Sequence, residues 1–125
     1  MFSLLVPFNQ SWAQYASALI LVLSARNYEH NNEFSKTHSF DTGAAVQNLS
    51  LQGSSMGLVV HVMEGFDYEK ARTEFNIPED YDIEAMIVID KPGNKVILSP
   101  ELQEKEILSN RKKLNEFVYH QEFKK

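Results

Sequence analysis

The sequence predicts an α+β or α/β fold built on a mostly buried sheet, and three observations carry that expectation. Residues 17–25 contain an unbroken apolar run, Ala18-Leu19-Ile20-Leu21-Val22-Leu23. Residues 58–63 and 83–90 hold two further apolar runs of strand length. Between the runs lies helix punctuation: Asp41-Thr42 and Gly57 bracket one segment, Asp67 and Pro78 another. The resulting order is helix, strand, helix, strand, helix, strand, turn, helix, tail, with helices available to cover a sheet.

Each element has a local reason. Ser11 and Gln14 have capping-box spacing, which places a short helix over Trp12-Ala13 and Tyr15-Ala16. That helix feeds into the strand 17–25, which is apolar on both faces and is therefore expected at the sheet centre, covered above and below. Residues 26–40, rich in Asn and Ser, read as a loop. Asp41 or Thr42 caps a helix running to about Met56, and Gly57 stops it. Its periodic face is Val46, Leu49, Gly53 and Met56. Its small residues, Ala44, Ala45, Ser50, Gly53, Ser54 and Ser55, predict close packing against a sheet or a second subunit.

The strand at 58–63 follows. Asp67 caps a helix over 69–76 with Ala71 and Phe75 on one face, and Pro78 ends it. After the strand 83–90, Pro92-Gly93 fits a type II turn, with residues 95–98 returning as a short antiparallel strand. Ser99 at the N-cap and Pro100 at the first helical position start a helix through Leu108. Residues 114–123 read as a strand or an extended arm.

Composition narrows the function classes. The chain has 125 residues, 43% of them hydrophobic and 23% charged, which suits one ordered domain. A formal net charge of −5 provides no electrostatic footprint for nucleic acid, and no nucleic-acid partner is expected. The absence of cysteine excludes disulfides, thiolate catalysis and cysteine zinc sites. It also fits a reducing compartment, so a cytoplasmic location is expected. The apolar run at 16–25 is too short to span a bilayer and has no basic residue before it, so neither membrane nor signal peptide is expected. His30, His38, His61 and His120 show no metal-ligand spacing. A nucleophile elbow, a P-loop and a Gly-x-Gly-x-x-Gly pattern are all absent. Trp12 and Tyr15 are most simply core, and His61 reads as a core or cofactor-edge histidine.

The stretch Met63-Glu64-Gly65-Phe66-Asp67 is the most telling. An apolar strand that ends in Glu-Gly and turns at once into a capped helix presents backbone N–H groups at a strand end. That suits a flat, electron-rich ligand better than a point-like one.

Four segments, in order, resemble the nitroreductase family of flavin enzymes. They are Asn9-Gln10-Ser11-Trp12-Ala13 with the strand after it, Asp41 to Leu49 with Gly57-Leu58, His61 to Asp67 with Glu69-Lys70-Ala71-Arg72, and Arg111-Lys112-Lys113-Leu114 with Glu116-Phe117-Val118. The resemblance implies a nitroreductase-like α+β fold, with a mixed, mostly antiparallel sheet flanked by helices and a long central helix at a homodimer interface. It implies FMN as cofactor, NADH or NADPH as electron donor, and a small-molecule acceptor such as a nitroaromatic or quinone. Met63, Glu64 and Gly65 would pass along the isoalloxazine ring, and the missing Cβ of Gly65 would let backbone approach it. A backbone N–H would be aimed at flavin N5, and no side chain is assigned a catalytic role. Arg111 and Lys112 would neutralise the ribityl phosphate. Lys113 stands where the family often has proline.

Against the family pattern, residues 1–125 are expected to be one nitroreductase-like domain truncated at its N-terminus. Two readings stay open. One is an FMN-dependent oxidoreductase. The other is a non-catalytic remnant that dimerises or docks without cofactor. A Gly65→Val change is expected to weaken FMN binding while leaving the fold largely intact.

Overall fold

The three apolar runs pair into one antiparallel sheet, as a computed structural model of the chain shows. The structure describes residues 1–120 and Glu122. The strands are β1 (Ala18–Ala25), β2 (Val59–Met63) and β3 (Tyr81–Asp90), in the spatial order β1-β3-β2. The centre is therefore β3, where Met86, Ile87 and Val88 are 0, 1 and 5% exposed. This corrects the expectation for the first run: β1 is an edge strand in which only Ser24 is buried. An apolar run reports what lies on a strand's two faces. It carries no information about whether both edges are paired.

The chain divides into two compact units, Met1–Gly93 and Asn94–Lys125. In the first, the helix α1 (Pro7–Ala13) starts five residues before Trp12. Pro7 at its first position supplies the fixed φ and has no N–H to satisfy. The expected capping box does not form. Ser11 Oγ donates to the Phe8 carbonyl at 2.7 Å, and Gln14 is the C-cap. Tyr15, expected in the core, is 77% exposed.

The long helix α2 (His38–Ser55) begins three residues before Asp41, whose carboxylate sits in its first turn and accepts from Thr37 Oγ1 at 2.9 Å. Its end follows the expected stop. Gly57 has φ of 73°, its N–H bonds the Ser54 carbonyl at 3.0 Å, and the Leu58 N–H bonds the Gly53 carbonyl at 2.9 Å. These paired bonds are a Schellman motif. Gly53 is the one buried residue of α2, and a Cβ there would overlap Val60 Cγ2 of β2. The small-residue helix thus meets the sheet through Gly53.

The helix α3 (Tyr68–Glu74) is capped as expected, with Asp67 Oδ1 accepting from the Lys70 N–H at 2.9 Å. Its packed face is Ala71, fully buried, whereas Phe75 is 41% exposed. Left-handed Asn76 (φ 50°) turns the chain away. The Arg72 guanidinium then donates to the carbonyls of Ile77, Pro78 and Tyr81, which ties the helix to the start of β3. One core gathers Leu4, Leu5, Ala13, Met63, Phe66, Ala71, Met86 and Val88. Leu5 bridges Phe66 in antiparallel fashion, so the N-terminal residues lie beside the turn that follows β2.

In the second unit, residues 95–98 do not return as a strand. Lys95–Ile97 is a 3-10 turn, and Gly93 has no positive φ, so the expected type II turn is not formed. Asn94 Oδ1 accepts from the Val96 N–H at 3.1 Å, a local bond that competes with strand pairing. The helix α4 (Pro100–Lys105) starts at the expected Ser99 cap and stops before Leu108. Leu114–Glu116 is a second 3-10 turn, where a strand or arm was expected. Phe123, the end of that expected segment, lies outside the described residues.

Candidate functional site

At the end of β2 the chain turns through Glu64 and Gly65, and the turn is held from the N-terminal side. The Gly65 carbonyl accepts from the Val6 N–H and from Asn9 Nδ2, both at 3.0 Å. The Glu64 carbonyl accepts from the Phe66 N–H at 2.9 Å. A Cβ on Gly65 would overlap Asn9 Nδ2 and press on Val6 Cγ2 at 3.1 Å. Glycine at 65 therefore lets the Val6–Asn9 segment close onto the turn. This corrects the expectation that Gly65→Val spares the fold, because any side chain there displaces a nearly buried, hydrogen-bonded Asn9.

The same segments border an open cleft of about 680 Å³. Val6, Phe8 and Asn9 form one wall, residues 61–65 the floor, and Glu84 with Ala85 of β3 the far side. Of the expected ring-edge residues, Met63 is buried, Gly65 half-buried and Glu64 exposed. The structure brings all three to this cleft. His61 also lines it and is exposed, with its ring edge-on to Trp12 at 5.1 Å between centroids. It is a cleft-edge residue, not a core one. The lining contains two carboxylates, Glu64 and Glu84, and no lysine or arginine. Burial, and after it the charges of Glu64 and Glu84, raises the Tyr68 phenol above its ordinary value. Tyr68 stacks on Phe66 at 4.1 Å between centroids.

Sequence reasoning missed Glu84 and the polar cluster around it. The register of β1 on β3 breaks between Val22, opposite Ala85, and Leu23, opposite Ile83, so Glu84 is left without a partner in a β-bulge. Its Oε1 accepts from Ser24 Oγ at 2.5 Å and from Ser39 Oγ at 2.6 Å. Ser24 Oγ lies 2.9 Å from His38 Nδ1. His38 Nε2 in turn lies 3.7 Å from Asp82 Oδ2, and Asp82 bonds Arg26. The Arg26 hydrogen bond holds the Asp82 carboxyl below its ordinary value, and Asp82 raises Arg26 in return. The available signal was a serine at the end of one apolar run and a glutamate at the start of another.

Arg111 and Lys112, the expected phosphate contacts, lie in the second unit. Both are exposed and non-helical, just before the turn at Leu114–Glu116. Lys113, in the position often held by proline, donates its backbone N–H to Glu116 Oε1 at 2.9 Å, a bond proline could not make. Among the described residues no cluster of His, Asp or Glu could hold a metal ion. No helix among them is long and apolar enough to cross a membrane.

The fold has relatives. A structure described as an oxidoreductase containing FMN superposes with a TM-score of 0.91 at 32% identity, over 98% of this chain. This chain spans 64% of that protein's length. A nitroreductase family protein from Streptococcus pneumoniae TIGR4, 16% identical, shares the fold with a TM-score of 0.68 over 96% of this chain and 72% of its own. In Mycolicibacterium smegmatis, an uncharacterized 15.4 kDa protein in the ask 5′ region is 28% identical over 102 residues, 82% of this chain and 67% of that one. The profile of the nitroreductase family matches residues 5–91, from the Leu5 bridge to just past the end of β3, and the chain belongs to that family.

Proposed function

We propose that the chain is an FMN-dependent oxidoreductase. The observation that carries this reading is the cleft whose floor is the Met63-Glu64-Gly65 turn. The Glu64 and Gly65 carbonyls already accept bonds within the chain, which leaves the N–H groups of the turn as the donors a ligand would use. Flavin nitrogens and carbonyl oxygens accept hydrogen bonds, and the flat apolar ring suits Met63 and Val62. The relative that contains FMN is an oxidoreductase, which supports the same reading.

The cleft fits the ring of FMN and does not by itself fit the phosphate, because nothing basic lines it. We assign the phosphate to Arg111 and Lys112. Bound flavin would supply the two-electron chemistry, with NADH or NADPH as donor and a nitroaromatic or quinone as acceptor. The chain's own part is positional: the turn fixes the ring edge, and Asn9 with Val6 fixes the turn. We further read the protein as a cytoplasmic homodimer without nucleic-acid or membrane partners. Apolar residues exposed on α2, Phe40 and Leu51 at 78 and 60%, and Met56 just past its end at 65%, support the dimer. The net charge and absent cysteine support the rest.

Titration of the purified chain with FMN tests the reading. Flavin absorbance that shifts and fluorescence that quenches on binding are the expected result. A colourless protein that takes up no FMN at high micromolar concentration would leave the cofactor-free dimerising module as the function.

A further inference from the structure

Glu84 belongs to the cleft and to the cluster behind it at once. Glu84 is one of the residues lining the cleft, and its Oε1 accepts the hydroxyl hydrogens of Ser24 and Ser39. Each hydroxyl has one hydrogen, and both are committed to Glu84. At His38 Nδ1, 2.9 Å from Ser24 Oγ and 3.3 Å from Ser39 Oγ, the ring nitrogen must therefore be the donor. His38, Ser24 and Glu84 thus form one directed chain of hydrogen bonds that ends in the cleft. Ser24 is 2% exposed, so the middle of the chain is dry. The His38 side chain is 13% exposed, so the ring keeps some contact with water.

The charges around it are defined. Asp82 and Glu84 of β3 face the imidazole, at 3.7 and 4.0 Å. Arg26 of β1 bonds Asp82, and Arg72 of α3 acts on Asp82 as well. On α2 itself, Asp41 bonds Thr37. Phe34 packs edge-on against the His38 ring. A cluster that only anchored α2 to the sheet would need no residue of the cleft lining among its members.

We propose that His38, Ser24 and Glu84 are a proton-supply line for reduction in the cleft, with Glu84 as the proton donor to the acceptor. The proposal rests on the flavin reading above. Reduction of a quinone by a nicotinamide follows quinone + NAD(P)H + H⁺ → hydroquinone + NAD(P)⁺. The hydride carries both electrons and one hydrogen, and the second hydrogen arrives as a proton. Protonated Glu84 loses its O–H bond as the hydroquinone oxyanion gains one. Ser24 passes its hydrogen to Glu84 and takes the Nδ1 hydrogen of neutral His38, while His38 Nε2 takes a proton from hydronium or buffer. Rotation of the ring then restores the Nδ1–H tautomer. Glu84 is the group that touches the acceptor, and Ser24 and His38 act through it.

The full-length chain is compared with Glu84→Gln, Ser24→Ala and His38→Gln. Each is titrated with FMN, then assayed for quinone reduction with excess NAD(P)H in H₂O and D₂O. Wild type and variants are expected to bind FMN equally. Glu84→Gln is expected to lower kcat about 100-fold with little change in KM, and to abolish the solvent isotope effect. Ser24→Ala and His38→Gln are expected to lower kcat at least tenfold and to flatten its pH profile. A second readout needs no turnover: the ¹⁵N spectrum of the cofactor-free wild type should show His38 protonated at Nδ1, and Ser24→Ala should lose that preference. Variants that bind FMN but keep kcat within twofold, with the isotope effect intact, overturn the proton line and leave the flavin reading standing. Variants that fold but lose FMN affinity make the cluster purely structural and overturn it too. A wild type that binds no FMN removes the flavin reading and the proton line together.

Discussion

Gly65 shows how a single residue can be read correctly as special and for a reason other than the first one. A ligand is one reason for a missing Cβ, and a neighbouring side chain is another. Here Asn9 Nδ2 and Val6 occupy the space. Gly65→Ala is expected to destabilise the protein by about 1–3 kcal/mol through overpacking and loss of the Asn9 bond. Asn9→Ala alone should cost about 1 kcal/mol. Because both act on one contact, the double variant should cost less than the sum, as urea denaturation would show. An additive result would separate Asn9 from the turn.

Asp82 makes a second prediction at this scale. Its carboxyl is held low, first by the Arg26 hydrogen bond. A carboxyl depressed by folding stabilises above its unfolded value, near pH 4, and that contribution drains away as pH falls through the lower folded value. Asp82→Asn should therefore lose less stability than wild type on acidification below about pH 4. Solvent exposure makes the difference small. An acid limb steeper in the variant would contradict it. Residue identity alone signalled neither partnership, since Asn9 is 56 positions from Gly65 and Arg26 is 56 from Asp82.

Elements were legible where their ends carry chemistry that acts within a few residues. Asp67 capping α3, Gly57 stopping α2 and Ser99-Pro100 opening α4 all stand where the sequence places them. Pro92-Gly93 and Ser11-Gln14 carry equally plausible local signals and do not act on them, because Pro7 and Asn94 offer stronger local structure nearby. The two glycines of α2 separate local from tertiary demands. Gly57→Ala is expected to cost about 1 kcal/mol, since its φ is left-handed and nothing lies near its absent Cβ. Gly53→Ala gains about 1 kcal/mol of helix propensity but overpacks Val60 by about 1–3 kcal/mol, so it should be net destabilising. Val60→Ala should rescue Gly53→Ala and leave Gly57→Ala unchanged in the same denaturation assay. Equal rescue of both would place the Gly53 demand elsewhere.

For the whole molecule, the proposed second copy would cover the exposed apolar side of α2. Light scattering should report a dimer, with a Tm that rises with protein concentration. Leu51→Glu, on an exposed apolar position of α2, should shift it to monomer. A monomer at high micromolar concentration would remove the dimer. The phosphate assignment has its own test. Arg111→Ala should weaken FMN about 10- to 100-fold, the worth of a charge-assisted hydrogen bond, and leave riboflavin affinity unchanged. Equal losses for both ligands would place the phosphate elsewhere.

The amino-acid order alone determined the three strands, the Asp67 and Ser99 caps, the Gly57 stop, and the run of motifs that marks the family. Each of these is written within about ten neighbouring residues and needs no distant partner. Tertiary structure alone decided that β3 is central, that Val6 and Asn9 close on Gly65, and that a bulge turns Glu84 toward Ser24 and the cleft. Those outcomes depend on which distant strands and turns meet. Edge pairing and close approach are properties of assembled elements, and hydrophobic pattern reports only which faces are covered.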